Sequence, residues 1–181
     1  VKKIAVFAAT STLALHSWAQ LTVPVDAGGP LADAPSGGGW GFTSFDFTVT
    51  QPGIVTDVNL RLAIDHDDVF DLFAVVRSPD GSFVQVFSTL TSQSDLAARL
   101  QDTVIDDEAA AGPIGWNNAS SPNDEAAAPW VGTYQPQEHD DLVSPQRLGD
   151  FDGKTLQGTW QLWVYDQINT RTGTLYRQGD P

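Results

Sequence analysis

Residues 158–166 read Gly-Thr-Trp-Gln-Leu-Trp-Val-Tyr-Asp, and this stretch decides the fold class. From Trp160 to Val164 every second residue is large and apolar, which places these residues on one face of an extended chain. Trp163 and Tyr165 lie on the opposite face. A period of two residues is typical of a β-strand with one face in a core. The stretch therefore predicts a strand whose second face carries aromatic rings.

The rest of the chain repeats this kind of signal. Short apolar or alternating stretches are separated by turn residues, such as Ser78-Pro79-Asp80-Gly81. Only residues 96–100 favour a short helical turn, and residues 106–145 are predicted to be mostly loop. We expect an all-β protein, an antiparallel jelly-roll-like β-sandwich. Besides the strand above, strands are predicted over 45–49, 58–65, 72–76, 82–87 and 130–134.

Composition excludes several classes of protein. A chain of 181 residues with 41% hydrophobic residues is long and apolar enough for one globular domain. The 23 acidic and 9 basic residues give a net charge of -14, which argues against nucleic-acid binding. The absence of cysteine excludes thiol catalysis and Cys-ligated metal centres. No apolar run reaches the length of about 18 residues that a membrane span needs.

Residues 1–19 have the layout of a secretory signal peptide. Two lysines precede an apolar stretch of 12 residues, and small residues stand at Ser17 and Ala19. The alternative is a buried N-terminal helix. We expect cleavage after Ala19 and a secreted protein, extracellular or periplasmic. Residues 20–44 are rich in Gly and Pro and are predicted to form a flexible lead-in with one short edge strand.

Two clusters of acidic residues, over 65–71 and 102–108, are predicted to lie in loops. Of the acidic residues 20 are Asp and 3 are Glu, and Asp is a compact oxygen ligand. Carboxylates this close repel one another, and a calcium ion would relieve that repulsion. Each cluster is either part of a calcium site or a solvated loop. The two clusters could also converge on one calcium ion. A third group, over 138–141, is interpreted as a solvated loop.

Signals for catalysis are weak. No Gly-x-Ser-x-Gly or His-Glu-x-x-His motif occurs, and no Gly-rich phosphate loop. His66 is a base, a ligand or a packed structural residue, and the last reading is favoured. An Asp pair could serve a small hydrolase. The aromatic residues either stack on sugars or cover the ends of the sandwich; those considered are Trp116, Trp130, Trp163 and Tyr165.

Read in order, the motifs resemble the P domain (P/Homo B domain) that follows the catalytic domain in proprotein convertases and bacterial subtilisin-like secreted proteases. The resemblance covers roughly residues 46–175, and its pieces are individually weak but occur in the family's order. They are His66 to Leu72, Ser78-Pro79-Asp80-Gly81, Asp102 to Ala109, Gly132-Thr133-Tyr134-Gln135-Pro136, Leu148 with Phe151 and Gly153, and Gly158 to Asp166 followed by Gly173-Thr174-Leu175.

The resemblance implies a β-sandwich over 45–176 without catalytic residues of its own, because the family's Asp-His-Ser machinery lies in a separate domain. The family's P domain stabilises the neighbouring protease and influences its dependence on calcium and pH. Bacterial members are thought to bind calcium through loop aspartates. By motif match the ligands would be among Asp67, Asp68, Asp71, Asp106 and Asp107.

The resemblance has two departures. The family continues with a Trp-x-Leu strand, which residues 177–181 do not carry, so we expect that strand to be missing or degenerate and a sheet edge to be open. A signal peptide directly before the P-like domain further implies export without a catalytic domain. The expected partner is a secreted subtilisin-like protease, and the alternative is a glycan or a cell-surface protein.

Overall fold

The computed structural model describes residues 28–90, 98–115, 130–137 and 147–177. Strands dominate these residues, and two short 3₁₀ turns, at Val69–Asp71 and Leu148–Phe151, accompany them. The strands are β1 (Gly29–Pro30), β2 (Gly41–Val49), β3 (Leu60–His66), β4 (Leu72–Arg77), β5 (Phe83–Ser88), β6 (Ala98–Ile105), β7 (Trp130–Tyr134), β8 (Gly158–Asp166) and β9 (Gly173–Leu175).

The strands form two sheets. One has the order β1-β9-β3-β6-β7 and the other the order β2-β8-β4-β5. Every pairing is antiparallel except that of β6 with β7, which is parallel. The predicted all-β sandwich is confirmed, and the parallel β6–β7 pair is the exception to its antiparallel character.

The core lies between the two sheets. From β8 it takes Trp160, Leu162 and Val164, as the alternation in that strand predicts. Facing them, β3 contributes Leu62 and Ile64. These side chains are nearly inaccessible to solvent, so removing them from water supplies the main driving force for packing the two sheets.

Three local predictions need correction. The first long strand begins at Gly41, within the predicted lead-in, because Phe42 and Ser44 already alternate with buried neighbours. Residues 98–100 belong to β6, so the helical turn predicted there is wrong for them. Asp102 also lies in β6 rather than in a loop, at a bulge where its φ is 58°.

Of the other predictions, some concern described residues and can be compared with the structure, and others do not. The short edge strand predicted in the lead-in is confirmed by β1, which lies at a sheet edge beside β9. The signal peptide, residues 138–141 and Trp116 lie outside the described residues. Among the residues that are described, no helix has the length and apolar character needed to cross a membrane.

Candidate functional site

One end of the sandwich carries a buried pair of side chains from different sheets. His66 ends β3 and Asp166 ends β8, and Nε2 of His66 lies 3.2 Å from Oδ2 of Asp166. Both side chains are almost completely buried. Nδ1 of His66 faces the backbone of Asp68: it lies 3.0 Å from the backbone nitrogen, whose N–H donates to it, and 2.7 Å from the carbonyl oxygen. Both ring nitrogens are therefore engaged within the protein, which favours the structural interpretation of His66.

Asp71 lies beside this pair and is also buried. Its residue is 1% exposed, and neither carboxylate oxygen has a hydrogen-bond partner among the described residues. Burial raises the pKa of Asp71 to about 6, and the nearby carboxylate of Asp68 adds to the rise. Burial likewise raises the pKa of Asp166. Two desolvated acids thus lie near each other and out of contact with solvent.

We call residues 67–71 the acidic loop, and it is held by the connection between β8 and β9, residues 167–172. The Nη1 of Arg171 donates to Oδ2 of Asp68 at 2.5 Å, and its Nε lies 3.6 Å from Oδ2 of Asp71. The N–H and hydroxyl of Thr172 both donate to Oδ2 of Asp67, at 2.9 and 3.1 Å. These hydrogen bonds lower the pKa of Asp67. The carboxylates of Asp67 and Asp68 are therefore hydrogen-bonded by groups of the protein itself.

The second acidic cluster lies at the other end of the same sheet. In the β3–β6 ladder His66 pairs with Ala98 and Leu60 pairs with Ile105, so Asp106 and Asp107 follow the end remote from the acidic loop. Seven strand residues span about 20 Å at the usual rise of a strand. The two clusters do not converge on one point.

Asp106 and Asp107 both accept hydrogen bonds from backbone N–H groups. Asp106 accepts one from the N–H of Glu108 at 2.9 Å. Asp107 accepts two, from the N–H groups of Leu148 at 3.0 Å and Gly149 at 2.7 Å. Asp107 therefore caps the 3₁₀ turn that begins at Leu148.

The five predicted calcium ligands do not gather around one point in the described part of the chain. Calcium takes six to eight oxygens at about 2.3–2.6 Å. Within the described ranges, no three His, Asp or Glu side chains are grouped so that they could hold a metal ion. Four of the five ligands already accept hydrogen bonds from the protein; they are Asp67, Asp68, Asp106 and Asp107. Calcium binding stays a prediction from the sequence.

Five aromatic rings form a continuous patch on the outer face of the β2-β8-β4-β5 sheet, and we call it the aromatic surface. Tyr165 is at its centre, with ring centroids 5.0 Å from Phe42, 5.5 Å from Phe73 and 5.9 Å from Trp40. Trp163 completes the patch, 5.9 Å from Phe42. Trp40 is 57% exposed and Phe42 is 48% exposed. This arrangement leaves a large apolar area in solvent.

Polar groups border the aromatic surface on one side. The guanidinium of Arg77 lies 5.2 Å from the ring centroid of Trp163. In the next row, Arg77 donates to Gln161 at 2.9 Å, and Gln161 donates to Asp46 at 2.9 Å. The patch lies at the end of the sandwich that also holds the His66–Asp166 pair, because Tyr165 immediately precedes Asp166.

Sequence reasoning placed some of these residues and missed others. Trp163 and Tyr165 were expected on an outer face, and they lie there. Trp130 is fully buried and is not available to stack on a sugar. Trp40 was missed because the Gly-rich run before it suggested a linker. Arg171 was missed too, although it is the one basic residue between Lys154 and Arg177, in the turn between two strands.

The fold and the site together define an all-β sandwich with a buried charged network at one end and an aromatic surface on one sheet. No known protein family matches this sequence, and no well-characterised protein is detectably similar to it in sequence. The solved structures that are similar to this chain include one from the complex of the Aeromonas sobria serine protease and a chaperone. That match has a TM-score of 0.42 and 16% identity, and it covers 82% of this chain and 23% of that chain.

Proposed function

We propose that this chain is a secreted, non-catalytic accessory module that binds and stabilises a subtilisin-like serine protease. The observation that carries the proposal is the aromatic surface. Aromatic residues and Arg are enriched where proteins bind one another, and charged residues are depleted at the centre of such interfaces. The aromatic surface has the first of these features, since it consists of five rings with Arg77 beside them.

Charge supports a partner with an apolar face rather than a basic one. The molecule has a net charge of -14. Even so, the outward-facing positions of β2, β8 and β4 within the aromatic surface carry no acidic residue. The nearest outward acid along β2 is Asp46, and it is hydrogen-bonded to Gln161. Because the chain is so acidic, an apolar area without acids favours a partner that buries the rings of the aromatic surface when it binds.

The buried network supports the absence of catalysis. His66 is the only histidine among the described residues, and both of its ring nitrogens are engaged. Asp71 and Asp166, the two desolvated acids, are each 1% exposed, so a substrate cannot reach them. The motif residues at this end of the sandwich therefore support a structural role. A protease is proposed as the partner because the chain resembles the P domain.

The test uses the full chain, immobilised and exposed to the secreted proteins of its source organism. Captured proteins are then treated with a fluorophosphonate probe, which labels nucleophilic serines. The proposal predicts one labelled captured protein and no label on the chain itself. Capture should be lost with Trp40→Ser combined with Phe42→Ser. The matched control is Ile54→Ser, since Ile54 is 67% exposed and lies near Thr155, before the start of β8.

Two results would contradict the proposal. Capture that survives loss of both rings would show that the aromatic surface is not the binding site. Captured proteins that never take the probe would show that the partner is not a serine hydrolase.

A glycan is the second candidate ligand, because Trp40 is more than half exposed and can stack on a sugar. Ring geometry makes it the weaker candidate. Trp40 meets Tyr165 at 75° and Phe42 meets Trp163 at 78°, so the rings pack edge to face and do not form a flat platform. Retardation of the chain in gels containing soluble polysaccharide, lost in Trp40→Ser, would favour the glycan.

A further inference from the structure

We infer that the guanidinium of Arg171 is the cation that holds the acidic loop, in the place where the sequence predicts calcium. This inference is independent of the identity of the partner. It assigns to Arg171 a positioning role: the residue offsets part of the negative charge of the acidic loop and ties the loop to the β8–β9 connection.

The geometry of the guanidinium is the first argument. One side chain reaches two carboxylates, Asp68 through Nη1 at 2.5 Å and Asp71 through Nε at 3.6 Å. Asp68 is only 15% exposed at its side chain, and Asp71 is 1% exposed. A pair this sheltered is screened less by water and salt than a surface pair. A guanidinium also stays charged throughout the physiological pH range.

The backbone around Arg171 is the second argument. The N–H of Asp67 donates to the carbonyl oxygen of Thr172 at 3.0 Å, and the N–H of Gln167 donates to that of Asp71 at 2.9 Å. With the two bonds from Thr172 to the Asp67 carboxylate, these contacts fasten both ends of the β8–β9 connection to the acidic loop. These contacts therefore hold the guanidinium of Arg171 in a fixed position beside Asp68.

The donor set is the third argument. The calcium ligands predicted in this loop are Asp67, Asp68 and Asp71, and a calcium ion there would draw on their oxygens. Oδ2 of Asp67 already accepts hydrogen bonds from Thr172, and the two oxygens of Asp68 accept them from Phe70 and Arg171. A dication would have to displace the guanidinium that lies between Asp68 and Asp71. Both oxygens of Asp68 are therefore occupied without a metal.

The test is thermal unfolding of the full chain in EDTA, in millimolar calcium and in millimolar magnesium. The wild-type midpoint should be the same in all three. Arg171→Met should lower the midpoint by several degrees, roughly 2–6 °C for a chain of this size. The matched control is Arg61→Met, which removes a guanidinium paired with Asp102 on the surface, where both side chains are more than half exposed. That control should leave the midpoint nearly unchanged.

A double variant tests whether the effect acts through Asp68. In an Asp68→Asn background, Arg171→Met should lower the midpoint by less than it does in the wild type, because its main partner has lost its charge. If Arg171→Met does not fold, the comparison of Arg171→Lys with Arg61→Lys makes the same test with the charge kept.

Two outcomes would overturn the inference. One is a calcium-specific rise in the wild-type midpoint that Asp71→Ala abolishes, since it would show a metal in the acidic loop. The other is an Arg171 variant no less stable than the matched Arg61 variant, since it would show that the guanidinium holds nothing.

Discussion

His66 and Asp166, one hundred positions apart in the sequence, meet in a buried contact of 3.2 Å that joins the two sheets of the sandwich. Each residue ends its strand, so the contact closes one end of the core. Around it lie Asp71, Asp68 and Arg171, and on the outer surface just beyond it lies the aromatic surface. The network therefore fixes the backbone that presents the rings.

The His66–Asp166 pair should be energetically coupled. His66→Leu leaves a buried carboxylate without its partner, which typically lowers the free energy of unfolding by about 3–5 kcal/mol. Asp166→Leu leaves a buried N–H unpaired, at about 1–3 kcal/mol. The double variant should lose clearly less than the sum, because each change removes the penalty left by the other. Urea unfolding measures all three, and strictly additive losses would contradict the coupling.

Asp71 should make stability depend on pH. Its pKa is about 6 in the folded protein against 3.8 for the ordinary group, so the folded state binds its proton more tightly. The unfolding free energy should therefore fall as pH rises from about 4 to about 6, and the lost part stays lost at pH 7. Arg171 and His66 partly oppose this rise in pKa, whereas Asp68 and Asp166 add to it.

Asp71→Asn should remove that dependence. The variant should be more stable than the wild type at pH 7, by roughly 1–3 kcal/mol, and the two should converge near pH 4. Urea unfolding across this pH range is the measurement. A variant that is less stable than the wild type at pH 7 would contradict the account.

Gly173 is expected to tolerate no side chain. A Cβ there would lie 2.2 Å from Cδ2 of His66 and 2.9 Å from the carbonyl oxygen of Asp65. The ring of His66 is buried and cannot move aside, so Gly173→Ala should lower stability by about 1–3 kcal/mol. Gly37→Ala is the control, since nothing lies within 4 Å of its Cβ. Equal midpoints for the two variants would refute this packing.

Asp107 should act as a cap rather than as a calcium ligand. Asp107→Ala removes the acceptor for the N–H groups of Leu148 and Gly149 and should lower stability by about 1–2 kcal/mol. Asp107→Asn keeps one acceptor oxygen and should lose less. Both losses should be the same in EDTA and in calcium; a loss seen only in calcium would assign Asp107 to a metal site.

The amino-acid pattern was sufficient for most of the strands but not for β6 or for the buried network. Alternation is a local property, and it correctly predicts Trp160 in the core and Trp163 on the outer face. It does not show that β6 continues through Asp102, because a bulge there breaks the period of two. The cluster of acids that begins at Asp102 therefore looked like a loop, although its first residues belong to a strand.

Distant partners were beyond sequence reasoning. Which cation faces the acidic loop depends on how β3 and β8 are placed in two different sheets, and no local pattern carries that information. The repulsion among the acids predicted a positive charge beside them, and the guanidinium of Arg171 lies there. That repulsion could not distinguish a calcium ion from Arg171, a hundred residues further along the chain.

The most direct test of the proposed function measures the protease, not the module. The catalytic domain of a secreted subtilisin-like protease from the same organism is heated with and without the full chain, and its remaining activity is followed. We expect the wild-type chain and the Ile54→Ser control to lengthen the half-life of activity several-fold, and the Trp40→Ser, Phe42→Ser chain to have no effect. A half-life that the wild-type chain leaves unchanged, or that all three chains lengthen equally, would contradict the account.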